Sequence, residues 1–179
     1  MDIVPIERSH LADLTRIAGD ARVAATCRIP HPLPGGYVDN LWRESMAVEI
    51  PGTHLRPQYH FAITYQCCTV GLISLTQIKP GNRSGQLVYW IDPEFWGRGL
   101  ATAAVALLLE KAQSELKLDR VSTGVWAQNP ASRKVLERNG FEWVDTLEDG
   151  ASFGSKFVEK RICLYHKQVR TRAKLLSQT

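Results

Sequence analysis

The stretch DPEFWGRGLATAAVALLLEK, residues 92–111, sets Gly97 and Gly99 around Arg98 and runs directly into an apolar helical pattern. Two glycines before a helix allow a turn that larger residues would resist, and they leave backbone N–H groups bare at the positive end of the helix dipole. Such groups suit an anion, above all a phosphate or diphosphate. A P-loop is excluded, because Gly-Leu-Ala stands where Gly-Lys-Ser/Thr would close the loop. A dinucleotide-binding turn fits poorly: Thr102 takes the place of its third glycine, and Asp119 lies before the next strand rather than at its end. Two readings remain. One is a diphosphate on the helix start, after a strand that also contacts the ligand; the other is a turn with no ligand. Cys27, Cys67, Cys68 and Cys163 lack metal-ligand spacing, and an adjacent pair makes a poor disulfide framework. Reduced thiols in a cytoplasm are expected, with no metal.

The elements that must hold this turn follow from the hydrophobic period. Residues 1–7 alternate as a first strand, and Leu11, Leu14, Ile17 and Ala18 recur at helical spacing within 9–27, with Ser9 placed to cap. Prolines and glycines interrupt 28–36 throughout, which predicts a loop. A second helix is expected over 37–48, burying Val38, Leu41, Trp42 and Met46. The period then drops to two, and 58–65, 69–78 and 84–92 read as an antiparallel meander. A helix over 100–116, a strand over 119–127 and a compact helix within 129–141 follow. Asn129 is placed to cap that last helix, with Pro130 at its first position, and Gly140 lets Phe141 fold back on Leu136. Strands over 141–146 and 157–167 close the sheet. The expectation is one α/β domain with a mixed sheet, in the order β–α–α–β–β–β–α–β–α–β–β.

A chain of 179 residues is long enough to bury a core without disulfides or metals. Its longest apolar run, Ala103 to Leu109, is too short to cross a bilayer, and the start lacks the pattern of an export signal. The net charge of +4 sits in the tail: Lys167, Arg170, Arg172 and Lys174 have no acid among them, and the body before them is neutral. A neutral body with a short basic tail argues against nucleic acid as the main partner.

From GQLVYWIDPEFWGRGLATAAV through NPASRKVLERNGFE the chain resembles the Gcn5-related N-acetyltransferases (GNAT), in the branch of the RimJ and RimL ribosomal-protein acetyltransferases. The resemblance covers nearly the whole chain. It implies the GNAT fold, a mostly antiparallel seven-stranded sheet flanked by four helices, with the N-acetyltransferase domain over 1–166 and the basic tail over 167–179. The cosubstrate it implies is acetyl-coenzyme A. Backbone groups of Tyr89, Trp90 and Ile91 would pair with the pantetheine arm, and Gly97, Arg98, Gly99, Leu100, Ala101 and Thr102 would cradle the diphosphate. One departure stands out: Glu94 occupies a position where the family motif usually has Gln or Arg.

Many relatives deprotonate the amine with a Glu on the strand after the long helix and protonate the thiolate with a Tyr on the short helix. By position those residues are Gly124 and Leu136 here, and neither can do acid–base work. Ser132 is then the candidate catalytic residue, hydrogen-bonding the thiol sulfur, or else a helix-start residue bonding its own backbone. Asn129 caps the helix in either case, and its amide is also a candidate contact to the pantetheine. The amine's proton leaves through water, with His60, His31 and Glu159 as side-chain candidates. The acceptor is expected beside the loop over 28–36, lined by His31, Tyr37 or His60, and is an amine: a protein N-terminus or a small molecule. A monomer or homodimer is expected. The competing readings are a non-catalytic coenzyme A-binding sensor and, using the tail, a nucleic-acid binder.

Overall fold

The computed structural model describes residues 1–149, 152–153, 156–157 and 160–169. Its strands are β1 (Asp2–Pro5), β2 (Tyr59–Tyr65), β3 (Cys68–Lys79), β4 (Ser84–Ile91), β5 (Arg120–Trp126), β6 (Glu142–Asp149), β7 (Ser152–Phe153), β8 (Lys156–Phe157) and β9 (Lys160–Gln168). Its helices are α1 (Leu11–Ala18), α2 (Ala21–Ala24), α3 (Tyr37–Glu44), α4 (Leu100–Ser114) and α5 (Pro130–Arg138). Seven strands form one sheet in the order β1-β2-β3-β4-β5-β9-β6, and β7 and β8 pair separately. Within the large sheet only β4 and β5 run parallel. The meander expected over 58–92 is β2-β3-β4, whose registers pair Phe61 with Ile73 and Ile73 with Tyr89.

Alternation along the strands builds two cores. Ile73, Leu75, Leu87 and Ile91 point to one face and pack with Leu100, Ala104, Val105 and Leu108 of α4 and Leu136 of α5. Leu72 and Trp90 point to the other face, under Leu14, Ile17, Val23 and Val38 of α1, α2 and α3. Burial on both faces explains why β3 reads as a nearly unbroken apolar run.

Several local expectations change. The first helix divides in two, so among the described residues five helices rather than four flank the sheet. Asp20 adopts an extended backbone, and its carboxylate accepts the Arg22 N–H at 2.8 Å, which caps α2 and stops α1 at Ala18. Ser9 does not cap α1: it lies in a 3₁₀ turn, Arg8–His10, and the helix begins after it. Helix α3 ends at Glu44, leaving Met46 56% exposed instead of buried. Strand β9 continues to Gln168, into the stretch assigned to the tail, and Val169 is buried with its N–H on the Asp119 carbonyl. Residues 170–179 lie outside the described residues, as does Glu159.

The feature that shapes the molecule is a fork. The strands β4 and β5 pair only from Ser84–Arg120 to Gln86–Ser122 and then separate. At the crotch the buried Thr123 hydroxyl donates to the Leu87 carbonyl at 2.9 Å, replacing the ladder bond that the parting strands lose. Thr123→Val keeps the shape and removes that donor. The expected result is a loss of about 1–3 kcal/mol in chemical denaturation, with the fold retained.

Candidate active site

Between the arms of the fork lies a cavity of about 650 Å³. Its walls come from β4, β5, the turn before α4 and the start of α4, one face of α5, Leu164 of β9 and the segment Thr26–Arg28. Because β4 is pleated, its backbone groups face alternate edges. Gln86 and Asp92 bond toward β3, through Thr76 Oγ1 and the Val70 carbonyl. Gly85 and Leu87 bond toward β5, through Ser122 and Thr123. The same parity turns Tyr89 and Ile91 toward the cavity and Trp90 toward β3. Trp90 therefore borders the cavity without offering it backbone groups, unlike the sequence expectation, and its indole belongs to the opposite core. The Ile91 carbonyl is already taken by the Trp96 indole N–H at 2.8 Å.

The turn that follows is held from below. Asp92 is 2% exposed; its carboxylate accepts the Glu94 N–H at 3.0 Å and the Arg16 guanidinium at 2.9 Å, tying the turn to α1. Gly97 and Gly99 take φ of +75° and +77°, the left-handed region that costs other residues about 1–2 kcal/mol. A Cβ at either would meet no protein atom within 4 Å, so glycine is required by the backbone and the space beyond is open. No side chain caps α4 at Gly99, which leaves the first N–H groups of a 15-residue helix at the cavity wall with no intrahelical partner. Leu100, Ala101 and Thr102 all border the cavity. Arg98 is not among the residues that line it. Its guanidinium stacks on Phe95 at 5.0 Å and donates to the Glu94 carbonyl at 3.1 Å. The Glu94 carboxylate is paired with Arg22 at 3.0 Å, so the unexpected acid is met by a cation from α2.

Asn129 caps α5 as expected, accepting the Ser132 N–H at 3.0 Å. Its amide nitrogen donates to the Thr26 carbonyl at 3.0 Å, which pins the α2 end of the cavity to α5 and commits the group expected to meet the ligand. The Ser132 hydroxyl lies 2.6 Å from the Tyr89 hydroxyl. Burial raises the Tyr89 phenol to about 12, against the smaller opposing effect of that hydrogen bond. Gly124 lines the cavity and Leu136 is fully buried in the core, so neither supplies an acid or base.

The residues assigned to the acceptor do not join this group. His31 is exposed in its loop, and neither it, Tyr37 nor His60 lines the cavity. His60 sits under α3, its Nδ1 2.7 Å from Ser74 Oγ and its Nε2 3.6 Å from the Glu44 carboxylate. Burial lowers its pKa to about 4. Tyr37 is half-buried, and burial first, then Cys27 and Glu44, raise its hydroxyl. Cavity residues without a sequence expectation include Trp96, Lys134 and Arg138. The last two share a helical face with Ala131 and Val135, next to Ser132 on α5, so helical spacing could have found them. Nothing in the spacing marks Thr26, Cys27 or Arg28.

A family model described as an acetyltransferase (GNAT) domain matches residues 1–142. YdaF of Bacillus subtilis (strain 168) is 38% identical over 96 residues, 54% of this chain and 50% of its own length. A ribosomal-protein-serine acetyltransferase of Escherichia coli (strain K12) is 32% identical over 72 residues, 40% of each chain. The chain thus spans about half the length, or less, of these curated relatives. Among solved structures, spermidine N-acetyltransferase from Vibrio cholerae in complex with CoA and spermine superposes with a TM-score of 0.78 at 18% identity, over 93% of this chain and 94% of that one. RimL, a ribosomal L7/L12 alpha-N-protein acetyltransferase in complex with coenzyme A, gives 0.79 at 17% identity, over 93% and 92%. At these identities the likeness is one of fold.

Two outcomes follow from the geometry. Gly99→Val forces a branched residue into a positive φ and fills the open side of the turn, so coenzyme A affinity measured by calorimetry should fall by at least about tenfold. For His60, a folded pKa below the unfolded value of about 6.5 means the unfolded chain binds the extra proton first. Stability is then constant with respect to this group above about pH 6.5 and declines as pH falls toward 4. Denaturation midpoints across that window should flatten in His60→Gln.

Proposed function

The chain belongs to the acetyltransferase (GNAT) domain family, and from that premise we propose that it is an acetyl-coenzyme A-dependent N-acetyltransferase of the RimJ/RimL-like branch. The observation that carries this reading is the fork: an unpaired β4 edge at Tyr89 leads to an uncapped helix start at Gly97–Thr102, along one cavity. A pantetheine arm is an extended chain with amides, and Tyr89 would receive it as a sheet edge receives an added strand. The N–H groups of Gly97 to Thr102 would hold the diphosphate. Lys134 and Arg138 add positive charge along the α5 wall, which suits a polyanionic cosubstrate. Arg98 is assigned to shaping the turn.

Acetyl-coenzyme A supplies the activated acyl group, a thioester that a neutral amine can attack directly. Ser132 presents a hydroxyl to the leaving sulfur, and the Asn129 cap fixes the helix turn on which Ser132 sits. None of the described residues lining the cavity is Asp, Glu or His, so water takes the acceptor's proton. His31, Tyr37 and His60 are given no part in proton transfer, because none of them lines the cavity. The acceptor is a primary amine, a protein Nα-amine in preference to a small molecule such as a polyamine. Both classes occur by name among the relatives and structural neighbours. The four free thiols fit a reducing cytoplasm.

Gly124 and Leu136, in place of the family's Glu and Tyr, favour a second reading, a coenzyme A-binding sensor without turnover. Thiol release from acetyl-coenzyme A across peptides with free N-termini and polyamines separates the two. Turnover is expected, with kcat/KM rising with pH until the acceptor amine is itself deprotonated. Tight binding without turnover on any acceptor would establish the sensor instead.

A further inference from the structure

The side chain of Tyr89 has a place of its own in the cavity. Its ring packs against the α4 core while its hydroxyl reaches α5, 2.6 Å from Ser132 Oγ and 3.3 Å from the Ser132 carbonyl oxygen. Ser132 is the third residue of α5, where a hydroxyl commonly bonds nearby backbone. Here the Asn129 side chain satisfies the local N–H, and the serine hydroxyl meets the phenol instead. Both residues line the cavity, and Tyr89 is the one tyrosine among the described residues that do.

We propose that Tyr89 is a positioning residue for the leaving sulfur: its phenol donates to Ser132 Oγ and so turns the serine's own hydroxyl hydrogen toward the cavity. The inference rests on the acetyltransferase reading. A phenol is a stronger acid than an alcohol and hence the better donor of the pair, and of the two acceptors within its reach the serine oxygen at 2.6 Å is nearer than the Ser132 carbonyl oxygen at 3.3 Å. Burial keeps the phenol protonated, and therefore a donor, throughout the neutral range. The step balances without ionising either residue. The N–C bond forms, the C–S bond breaks, the electron pair goes to sulfur, and the amine's proton goes to water, which also supplies the final proton on sulfur. Ser132 stabilises the pair by a hydrogen bond, and Tyr89 keeps that bond aimed.

The test is a double-mutant cycle of Tyr89→Phe and Ser132→Ala in the full chain. Phenylalanine keeps the ring packing, so folding is preserved, and thermal unfolding checks it. Each single variant should lower kcat about tenfold, with KM for acetyl-coenzyme A within about twofold, and the double variant should be no slower than Ser132→Ala. The second readout needs no turnover: the thiol pKa of bound coenzyme A, followed by thiolate absorbance. It should rise by the same amount, about one unit, in both single variants and in the double. A Tyr89→Phe protein with wild-type kcat and wild-type thiol pKa overturns the proposal, as do effects that multiply in the double variant. If no acceptor is acetylated, the transferase reading fails while the thiol titration still decides the Tyr89–Ser132 pair. If coenzyme A does not bind at all, both fail.

Discussion

Two parallel strands that stop pairing after three residues are the constraint on which the rest of this structure depends. Buried backbone N–H and C=O groups must find partners, so a fork inside a sheet is costly unless each freed group is answered. Here Thr123 answers Leu87 and the Trp96 indole answers Ile91, two side chains reaching back from the arms they belong to. Between those two bonds the Tyr89 backbone is left facing the cavity. The fork is thus closed at its crotch, tied at its tip and open to the cavity in the middle.

The tip needs a rigid turn, and electrostatics supplies it. Asp92 is buried and would be costly there alone; the Arg16 guanidinium and the Glu94 N–H together compensate it with charge-assisted bonds. Arg22 does the same for the exposed Glu94, with less energy at stake in water. Both arginines come from the helices on the opposite face of the sheet. The turn on one face is therefore anchored by elements on the other, and the two cores are coupled through it. Asn129 makes a similar link at the other side of the cavity, joining α5 to the end of α2.

The same two-faced sheet separates groups that look equivalent in sequence. His60 and Tyr89 both lie on the meander, yet His60 faces α3 and Tyr89 faces α4 and α5. Strand parity puts them on opposite sides of the sheet. One is a neutral imidazole beside Glu44, and the other a phenol within reach of Ser132.

Short-range rules were enough to read much of this protein from its residues. The period-two runs named the meander, Gly97 and Gly99 named a turn with positive φ, and Asn129, Pro130 and Gly140 marked both ends of α5, all through forces acting within a few residues. Where two local rules competed, the reading slipped: Asp20 captured the Arg22 N–H and split a helix whose apolar spacing ran on unbroken. What no local rule contains is where β4 leaves β5, because that depends on a register between segments more than thirty residues apart. Nor does it contain the meeting of Tyr89 with Ser132, 43 residues later, or the stacking of Arg98 on Phe95. The sequence by itself determined where a glycine turn meets the start of a helix. Only the tertiary structure decided which side chains face that turn, because a side chain's direction is set by the packing of the element that carries it.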